Sequence, residues 1–464
     1  MNKSYDAIVI GSGQAGPFLA ARLAKAGWKT ALIERAHLGG TCVNDGCMPT
    51  KTLVASARVA HLVRRAADYG IELGGPVRID MKAVRARKDR VVAQSIENLT
   101  KWLAGIAGLD VIRGHARFRA PHAVEVDGRT LRAERIFINV GGRAMLPSWH
   151  GIAEVPVLTN TSLLALDVVP DHLIVAGGSY IGLEFAQMFR RFGARVTVVE
   201  TADRLIARED REVSREVQAI LEREGIEFHL SVRCAKVSRV DNGSALRVAL
   251  NAGGRAHEVI GSHLLAAVGR RPNTDDLGLE RTGIETDARG FIRVDDALRT
   301  SVPDVWALGD VNGRGAFTHT AYHDHQIVAA NLLDGAERTV TERITAYALF
   351  TDPPLARVGQ SEAEVLASGR PALVGTMPMS RVGRARERGE TQGFMKILVD
   401  ARSERILGAS LLCIEADEIV HQLLDVMAAG ASYKVVERAV HIHPTVSELI
   451  PTLLGELVPL RGTP

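Results

Sequence analysis

Apolar runs that lead directly into glycine-rich turns predict two copies of one βαβ unit, and the first copy opens the chain. Residues 5–10 predict a strand that enters the turn Gly11-Ser12-Gly13-Gln14-Ala15-Gly16, and residues 18–26 predict a helix. A second apolar strand, residues 30–33, ends in Glu34. Glycines permit a tight turn with close backbone approach to a pyrophosphate at a helix N-terminus, and the acidic residue can accept a hydrogen bond from a ribose hydroxyl. The pattern predicts a dinucleotide site at Gly11, Gly13, Gly16 and Glu34.

The second copy begins with a strand at residues 173–176. It continues through the turn Gly177-Gly178-Ser179-Tyr180-Ile181-Gly182, a helix at residues 183–192 and a strand at residues 195–199 that ends at Glu200. The acidic residue lies 23 positions after the first glycine in both copies. Two equal units favour two separate nucleotide sites.

Glu200 bears on the choice of nucleotide. A carboxylate suits the free 2′-hydroxyl of NADH and repels the 2′-phosphate of NADPH. Arg204 and Arg208, just beyond Glu200, could offset that repulsion. NADH is therefore the first choice, and NADPH stays open.

Size and composition indicate a globular enzyme of about three domains. The chain has 464 residues, of which 46% are hydrophobic and 24% charged, with a formal net charge of +3. So balanced a charge gives no argument for a nucleic-acid or membrane partner. No charged stretch followed by an apolar one precedes the first strand, and no apolar run reaches 18 residues, so we expect a cytoplasmic protein.

The chain has four cysteines, and two of them lie five positions apart at Cys42 and Cys47. A lone close pair in a cysteine-poor chain indicates redox chemistry in a reducing compartment. In a regular helix residues i and i+5 are roughly 8–9 Å apart at Cα, whereas a disulfide tolerates at most about 7 Å. A bridge between the two therefore requires a distorted backbone. We expect Asp45, between them, to raise the thiol pKa by its negative charge. The isolated Cys234 and Cys413 are predicted to pack in the core.

The rest of the chain is arranged around the two units. Residues 137–142 predict a strand and turn, and residues 305–308 predict a strand before Gly309-Asp310, where Asp310 could bond the sugar or phosphate part of a cofactor. From about residue 344 strands alternate with amphipathic helices, which predicts a separate C-terminal domain.

These motifs, with the tail His441-Ile442-His443-Pro444-Thr445-Val446-Ser447-Glu448, make the whole chain similar to the flavoprotein disulfide reductases. That family of class I pyridine nucleotide-disulfide oxidoreductases includes dihydrolipoamide dehydrogenase, glutathione reductase and mercuric reductase. Residues 48–53, 384–386 and 408–413 most resemble its RclA-type, mercuric reductase-like members. The resemblance implies an α/β fold with two Rossmann-like dinucleotide-binding domains and a C-terminal α+β dimerisation domain. The expected limits are 1–150 for the first part of an FAD-binding domain, 151–268 for an NAD(P)H-binding domain, 269–342 for the return of the FAD-binding domain and 343–464 for the dimerisation domain.

The resemblance also implies cofactors and site residues. FAD and NAD(P)H are expected at the two glycine units, with cofactor-binding residues at Gly11, Gly13, Gly16, Glu34, Gly40, Thr41, Gly142, Gly177, Tyr180, Gly182, Glu200, Gly269 and Asp310. By position, Cys47 is the thiol against the flavin and Cys42 the thiol that exchanges with substrate, and Lys51 and Glu184 match an ion pair beside the flavin. Tyr180 matches a side chain that covers the nicotinamide pocket in some members. His443 and Glu448 match an acid–base pair that completes the site of the other subunit in a homodimer.

The electron acceptor is less well defined than the donor. The tail after Gly455 has no cysteine pair of the kind that well-known mercuric reductases carry. We expect an NAD(P)H-dependent flavoenzyme that passes electrons through a Cys42–Cys47 disulfide to a small disulfide or a thiol-reactive metal ion of the Cu(II) or Hg(II) type. The alternatives are a dihydrolipoamide dehydrogenase and, from a different class, a redox-sensing flavoprotein of slow turnover.

Two further groups of residues have a plainer explanation. His319, His323 and His325 include an i, i+4 pair that could hold a metal, but no third ligand is apparent, so a helix start without a resident metal is expected. An arginine cluster could attract an anionic substrate, although a solvated face is the first expectation. Its members are Arg381, Arg384, Arg386 and Arg388.

Overall fold

The computed structural model describes residues 3–240, 243 and 245–461. The side chain of Cys234, which was predicted to pack in the core, lies outside the described residues. The first segment holds strands β1 (Lys3–Ile10), β2 (Thr30–Glu34), β3 (Leu109–Arg113), β4 (Arg117–Ala120), β5 (Ala123–Val126), β6 (Arg129–Ile138) and β7 (Gly142–Ala144). Its helices are α1 (Gly16–Lys25), α2 (Gly40–Asn44), α3 (Cys47–Arg64) and α4 (Met81–Ala104).

The second glycine unit follows in the middle of the chain. Its strands are β8 (His172–Ala176), β9 (Arg195–Val199), β10 (Ile226–His229), β11 (Val232–Val240), β12 (Ala245–Ala252), β13 (Arg255–Gly261), β14 (His263–Ala266) and β15 (Arg270–Pro272). Its helices are α5 (Asn160–Leu163), α6 (Tyr180–Phe192) and α7 (Arg211–Arg223).

The return segment and the C-terminal domain complete the chain. Their strands are β16 (Val305–Ala307), β17 (Ala346–Leu349), β18 (Leu355–Gly359), β19 (Ala372–Pro378), β20 (Phe394–Asp400), β21 (Ile406–Leu412) and β22 (Val458–Pro459). Their helices are α8 (Thr318–Leu333), α9 (Glu362–Ala367), α10 (Gly383–Glu387), α11 (Ala416–Ala428), α12 (Lys434–Glu437) and α13 (Ile450–Gly455).

The strand order shows how the segments combine. The first sheet runs β3-β2-β1-β6-β5-β4, and β16 pairs in parallel with β6, so the return segment completes the sheet that the first segment begins. The second unit forms a parallel sheet in the order β10-β9-β8-β14, beside an antiparallel sheet of β11, β12 and β13. β7 and β15 pair at the two crossings between these units. The C-terminal sheet is antiparallel, in the order β17-β18-β21-β20-β19-β22.

Burial explains why the apolar runs became strands. Every residue of β2 and of β8 is buried, as expected for central strands of a parallel sheet with helices on its faces. The predicted strands and helices of both units agree with the structure to within about three residues. The largest difference is in the second unit, where α6 begins at Tyr180, directly after the glycine turn, rather than at residue 183.

Candidate active site

The glycines of the first turn are required by close backbone contacts. Gly11 has a φ of +98°, and a Cβ there would lie 2.3 Å from the carbonyl oxygen of Asn139. A Cβ on Gly16 would lie 2.1 Å from the carbonyl oxygen of Gly11, where α1 begins. Residues with side chains are therefore excluded at both positions, and the backbone is held tightly below the N-terminus of α1.

The redox stretch packs against this same turn. A Cβ on Gly40 would lie 2.7 Å from the Cα of Gly13, so the start of α2 touches the glycine turn directly. Next to it, Thr41 is exposed and accepts a hydrogen bond from Arg270 at 3.3 Å. Arg270 also donates to the carbonyl oxygen of Gly142, which ties the β7–β15 crossing to the site. The close contact between the glycine turn and the start of α2 is typical of a site at which the backbone approaches an extended dinucleotide.

The two acidic residues occupy equivalent places in the two units. Glu34 accepts hydrogen bonds from the backbone N–H groups of Ser12 at 2.9 Å and Ala36 at 2.8 Å. Glu200 accepts from those of Gly178 at 2.6 Å and Ala202 at 2.8 Å. Each carboxylate is therefore fixed at the edge of its own glycine turn, where a bound ribose would lie.

The second turn repeats the geometry of the first. Gly177 has a φ of +114°, and a Cβ there would lie 2.4 Å from the carbonyl oxygen of Ala267. A Cβ on Gly182 would lie 2.0 Å from the carbonyl oxygen of Gly177. Ser179, in place of the second fingerprint glycine, is the exposed residue that precedes α6, and its side chain is accommodated there. Gly269, at the crossing, requires glycine for its φ of +119°.

Asp310 lies in the short turn that follows β16. Burial raises the pKa of its carboxyl group, and the positive charge of Arg270 opposes that rise. This half-buried carboxylate can accept hydrogen bonds from the hydroxyl groups of a cofactor. The tight glycine turns and this carboxylate together fit an FAD molecule at the first unit and a nicotinamide nucleotide at the second.

The backbone between Cys42 and Cys47 has the distortion that their spacing requires. Helix α2 ends at Asn44, and α3 begins at Cys47, so the two thiols belong to different helices. Gly46 forms the break, with a φ of −132° and a ψ of −118°, and a Cβ there would lie 2.8 Å from the carbonyl oxygen of Thr41. Cys42 is partly exposed and Cys47 is exposed.

The environment of the thiols makes them unequal. The hydrogen bond from Cys42 is the main cause that lowers the pKa of Cys47 to about 6, and Thr318 and the charge of Lys51 act in the same direction. The same hydrogen bond, followed by burial, raises the pKa of Cys42. The Sγ of Cys47 lies 3.1 Å from the Oγ1 of Thr318, the first residue of α8. Cys47 is therefore the thiol that ionises first.

Sequence reasoning missed Thr318. The histidines of the same helix were considered for metal binding, but only the close approach of α8 to α3 brings the Thr318 hydroxyl to the Cys47 sulfur. The available sequence signal was its position at the start of the helix that follows the strand and turn of Asp310.

An ion pair connects the thiols to the second unit. The Nζ of Lys51, one turn beyond Cys47 in α3, lies 2.6 Å from the Oε2 of Glu184 in α6. The other oxygen of Glu184 accepts a hydrogen bond from the backbone N–H of Phe350, and the ammonium group lies 4.5 Å from the centre of the Phe350 ring. The two residues that the resemblance paired are thus in contact.

Asp45, which was expected to raise the thiol pKa, is not among the main causes of the pKa shifts of Cys42 and Cys47. The Oδ2 of Asp45 accepts a hydrogen bond from the hydroxyl of Thr161 at 2.6 Å, and its carbonyl oxygen accepts one from Asn160 at 2.6 Å. The charged groups that act on the thiols are Lys51 and Glu184. Asp45 therefore attaches the redox stretch to α5.

His443 and Glu448 form the expected pair. The Nδ1 of His443 lies 2.7 Å from the Oε2 of Glu448, and the imidazole is 80% exposed while the carboxylate is 11% exposed. Among the hydrogen bonds of the described residues, none joins His443 to Cys42 or Cys47. His441 is bonded to the carbonyl oxygen of Ser447.

The remaining candidates have structural roles. His319 is bonded to the carbonyl oxygen of Ala346, His323 accepts a hydrogen bond from Arg343, and His325 lies against aromatic rings. Within residues 3–240, 243 and 245–461, no cluster of three or more potential ligands could hold a metal ion. Three of the four clustered arginines form ion pairs near the surface, namely Arg381 with Glu456, Arg384 with Glu387 and Arg388 with Glu415. Cys413 is fully buried, as predicted.

Among the helices that the structure describes, none is both long enough and apolar enough to cross a bilayer.

Comparison with known families identifies the class. The family model described as pyridine nucleotide-disulphide oxidoreductase matches residues 5–324, and the model of its dimerisation domain matches residues 345–454. The chain belongs to the pyridine nucleotide-disulphide oxidoreductases. Membership implies FAD and NAD(P)H as cofactors, and the dimerisation domain indicates a homodimer. The expected fold class is confirmed.

Individual relatives cover nearly the whole chain. The probable pyridine nucleotide-disulfide oxidoreductase RclA of Escherichia coli K12 is 37% identical, over 98% of this chain and 99% of its own. A mercuric reductase of Streptomyces lividans is 35% identical, over 96% of this chain and 94% of its own, and a dihydrolipoyl dehydrogenase of Thermus scotoductus is 32% identical, over 96% of each chain. The solved structure of the HOCl-induced flavoprotein disulfide reductase RclA matches with a TM-score of 0.88, over 97% of this chain and all of that one. The resemblance drawn from the motifs is confirmed.

Proposed function

We propose that this protein is an FAD-dependent NAD(P)H oxidoreductase that reduces a small disulfide or a thiol-reactive metal ion through Cys42 and Cys47. The observation that carries the proposal is the position of the thiol pair between two nucleotide units. The start of α2, at Gly40, touches the first glycine turn, and on the next helix, α3, Lys51 is paired at 2.6 Å with Glu184 of the second unit. This arrangement supports electron transfer from one nucleotide to the other and then to sulfur.

The roles of the chain's own residues follow from their contacts. When bound, FAD would take a hydride from NAD(P)H and pass two electrons to the Cys42–Cys47 disulfide. Cys47, which ionises first, is the thiolate that stays beside the flavin, while Cys42 attacks or binds the acceptor. Lys51 places a positive charge at the site, and Glu184 fixes the direction of its ammonium group.

The cofactor residues are assigned on the same grounds. The first unit would hold FAD through Gly11, Gly13, Gly16, Glu34 and Asp310, and Gly40, Thr41 and Gly142 border it. The second unit would hold the nicotinamide nucleotide through Gly177, Gly182 and Glu200, with Gly269 at the crossing and Tyr180 covering the nicotinamide pocket. Glu200 favours NADH, because its carboxylate is fixed at the turn by two backbone N–H groups and would repel a 2′-phosphate.

The acid–base pair is proposed to act in the partner subunit's site. His443 is 80% exposed, and its neighbours Val440 and Ile442 are apolar side chains that are 99% and 79% exposed. Exposed apolar side chains around a polar pair are typical of an interface surface. In a homodimer His443 would exchange a proton with the Cys42 of the other subunit, with Glu448 orienting the imidazole. The domain limits expected from the sequence, 1–150, 151–268, 269–342 and 343–464, are kept as part of this proposal.

The acceptor remains a choice between two chemical classes. One relative bears the name mercuric reductase, and one solved structure of RclA, which is 36% identical with a TM-score of 0.88, is described as a Cu(II) complex. These names favour a thiol-reactive metal ion beside a small disulfide. Dihydrolipoamide dehydrogenase is the second candidate, because several relatives bear that name. The cysteine usage supports a reducing, cytoplasmic setting for this chemistry.

The deciding experiment is a stopped-flow measurement on the purified, FAD-loaded protein. Rapid bleaching of the flavin by NADH, followed by reoxidation on mixing with Cu(II), Hg(II), oxidised glutathione or lipoamide, would support the proposal and select the acceptor. Reduction that is slow with both NADH and NADPH would favour the redox-sensing alternative. A protein that retains no flavin after reconstitution would overturn the proposal.

A further inference from the structure

Tyr180 and Tyr347 share one carboxylate oxygen, and neither the thiols nor the glycine turns require this arrangement. The hydroxyl of Tyr180, at the start of α6, donates to the Oε1 of Glu209 at 2.8 Å. The hydroxyl of Tyr347, in β17, donates to the same oxygen at 2.7 Å. The rings meet edge to face, with centroids 5.5 Å apart. Two donors from different domains therefore converge on one acceptor.

The acceptor carboxylate, Glu209, is shielded from water. The side chain of Glu209 is fully buried, and its other oxygen lies 3.1 Å from the Nη1 of Arg357, which is also buried. A buried carboxylate oxygen is costly to leave without a donor. Because Arg357 is paired with Oε2, the hydrogen bonds of Oε1 come from the hydroxyl groups of Tyr180 and Tyr347.

Tyr180 lies directly after the glycine turn of the second unit, at the start of α6. It follows Gly177-Gly178-Ser179 directly, and Glu184 lies four residues further along α6, on the same face of the helix. That face is turned towards Lys51 and the thiols. A nucleotide that rests on the glycine turn and presents its nicotinamide towards Lys51 would run along this face of α6 and would displace the Tyr180 ring.

We propose that Tyr347 is a positioning residue that lets Tyr180 leave Glu209 when NAD(P)H binds. This rests on the proposed function of the second unit. Two donors on one oxygen mean that Tyr180 can swing away while Tyr347 keeps Oε1 bonded. Without the Tyr347 hydroxyl, the same movement would leave the buried Oε1 of Glu209 without a hydrogen-bond donor. Tyr180 would then stay bonded to Glu209, over the nucleotide site, and the nucleotide would bind more weakly.

The test compares Tyr347→Phe with Tyr180→Phe in the FAD-loaded protein, by titrating NAD⁺ and NADH analogues that cannot be oxidised and measuring Kd calorimetrically. Tyr347→Phe should weaken binding about tenfold, the size of one hydrogen bond to a charged group. Tyr180→Phe should leave the affinity unchanged or improve it, because no bond has to break. In the double variant the loss caused by Tyr347→Phe should disappear.

The matched control is Tyr5→Phe, which removes a phenol that donates at 2.8 Å to Asp110 in the first sheet, away from the nucleotide turn. It should not change nucleotide affinity. Equal weakening by Tyr180→Phe and Tyr347→Phe, or wild-type affinity in Tyr347→Phe, would overturn the inference. Should the double variant fail to load FAD, the two single variants still test the inference, because only Tyr347→Phe is expected to weaken nucleotide binding. Wild-type protein that binds no nicotinamide nucleotide would overturn the proposed function itself, so the two failures are distinguishable.

Discussion

Lys51 and Glu184 belong to different nucleotide units, and their side chains meet at 2.6 Å between Nζ and Oε2. The carboxylate is nearly buried, and its second oxygen is bonded to the backbone of Phe350 in the C-terminal domain. One contact therefore aligns the redox helix, the second glycine unit and the C-terminal domain. The exposure of Lys51 on one side leaves its charge available to a bound cofactor.

Replacing Lys51 by methionine should slow flavin reduction by NADH by roughly tenfold or more, because a preorganised charge at the reacting centre is lost. Stopped-flow absorbance at the flavin band measures this rate. The matched control is Lys88→Met, since Lys88 is also mostly buried and paired with an aspartate, Asp89, but lies on α4. Equal slowing in both variants would contradict a specific role for Lys51.

Replacing Cys47 by serine should leave FAD bound but abolish the long-wavelength thiolate–flavin absorbance that appears on reduction. Cys42→Ser is the matched variant and should keep a thiolate at Cys47 and therefore the band. Because the band requires oxidised flavin, the wild-type spectrum is recorded after two-electron titration with dithionite. The spectra of the two single-thiol variants, which have no disulfide to reduce, are recorded without reductant. A band that survives in Cys47→Ser would show that the two thiols have been assigned the wrong way round.

The reduced thiol pair should lose its first proton with an apparent pKa of about 6, and the ionised thiol is Cys47. Its folded-state pKa lies below the ordinary thiol value, so the thiolate is present above pH 6 and is lost as the pH falls through that value. The rate of alkylation by iodoacetamide should follow the same curve. A midpoint near 8.5, the ordinary thiol value, would contradict the environment described for Cys47.

Replacing Thr318 by valine should raise the apparent pKa of that first ionisation by about 1, because the thiolate loses a hydroxyl donor that lies 3.1 Å away. Thr318→Ser keeps the hydroxyl and should keep the pKa. The pH dependence of the thiolate absorbance near 240 nm, a general property of thiolates, provides the measurement. No difference between the valine and serine variants would exclude Thr318 from the thiol's environment.

A mixed dimer can test whether His443 acts on the other subunit. One subunit would carry Cys47→Ser and the other His443→Gln, with different affinity tags for purification. If the histidine acts across the interface, one of the two sites is intact and the dimer should retain about half of the wild-type activity. If it acts within its own chain, both sites are damaged and activity should fall to that of the single variants.

The charge of Asp45 was expected from the sequence to raise the pKa of the thiols, and a variant without this charge tests that expectation. Asp45→Asn removes the charge but can still accept the hydrogen bond of Thr161, so the first thiol pKa should not change. A fall of about 1 would mean that the charge acts on the thiols after all, as local sequence had suggested.

Local sequence was sufficient for the two glycine units and the redox stretch. The Gly11–Glu34 and Gly177–Glu200 spacings specify short strands, tight turns and helix starts, all of which depend on backbone conformation within about twenty residues. The required break between Cys42 and Cys47 likewise followed from helix dimensions, and the structure places it at Gly46.

Only the tertiary structure decided which side chains act together across these units. Thr318 reaches Cys47 over 271 positions of sequence, and Tyr180 and Tyr347 meet at Glu209, because helices and strands from separate segments pack there. The hydrogen bond between Asp45 and Thr161 is of the same kind, since Thr161 lies 116 positions away along the chain. A side chain's direction and its partners depend on long-range packing, which spacing along the chain does not encode.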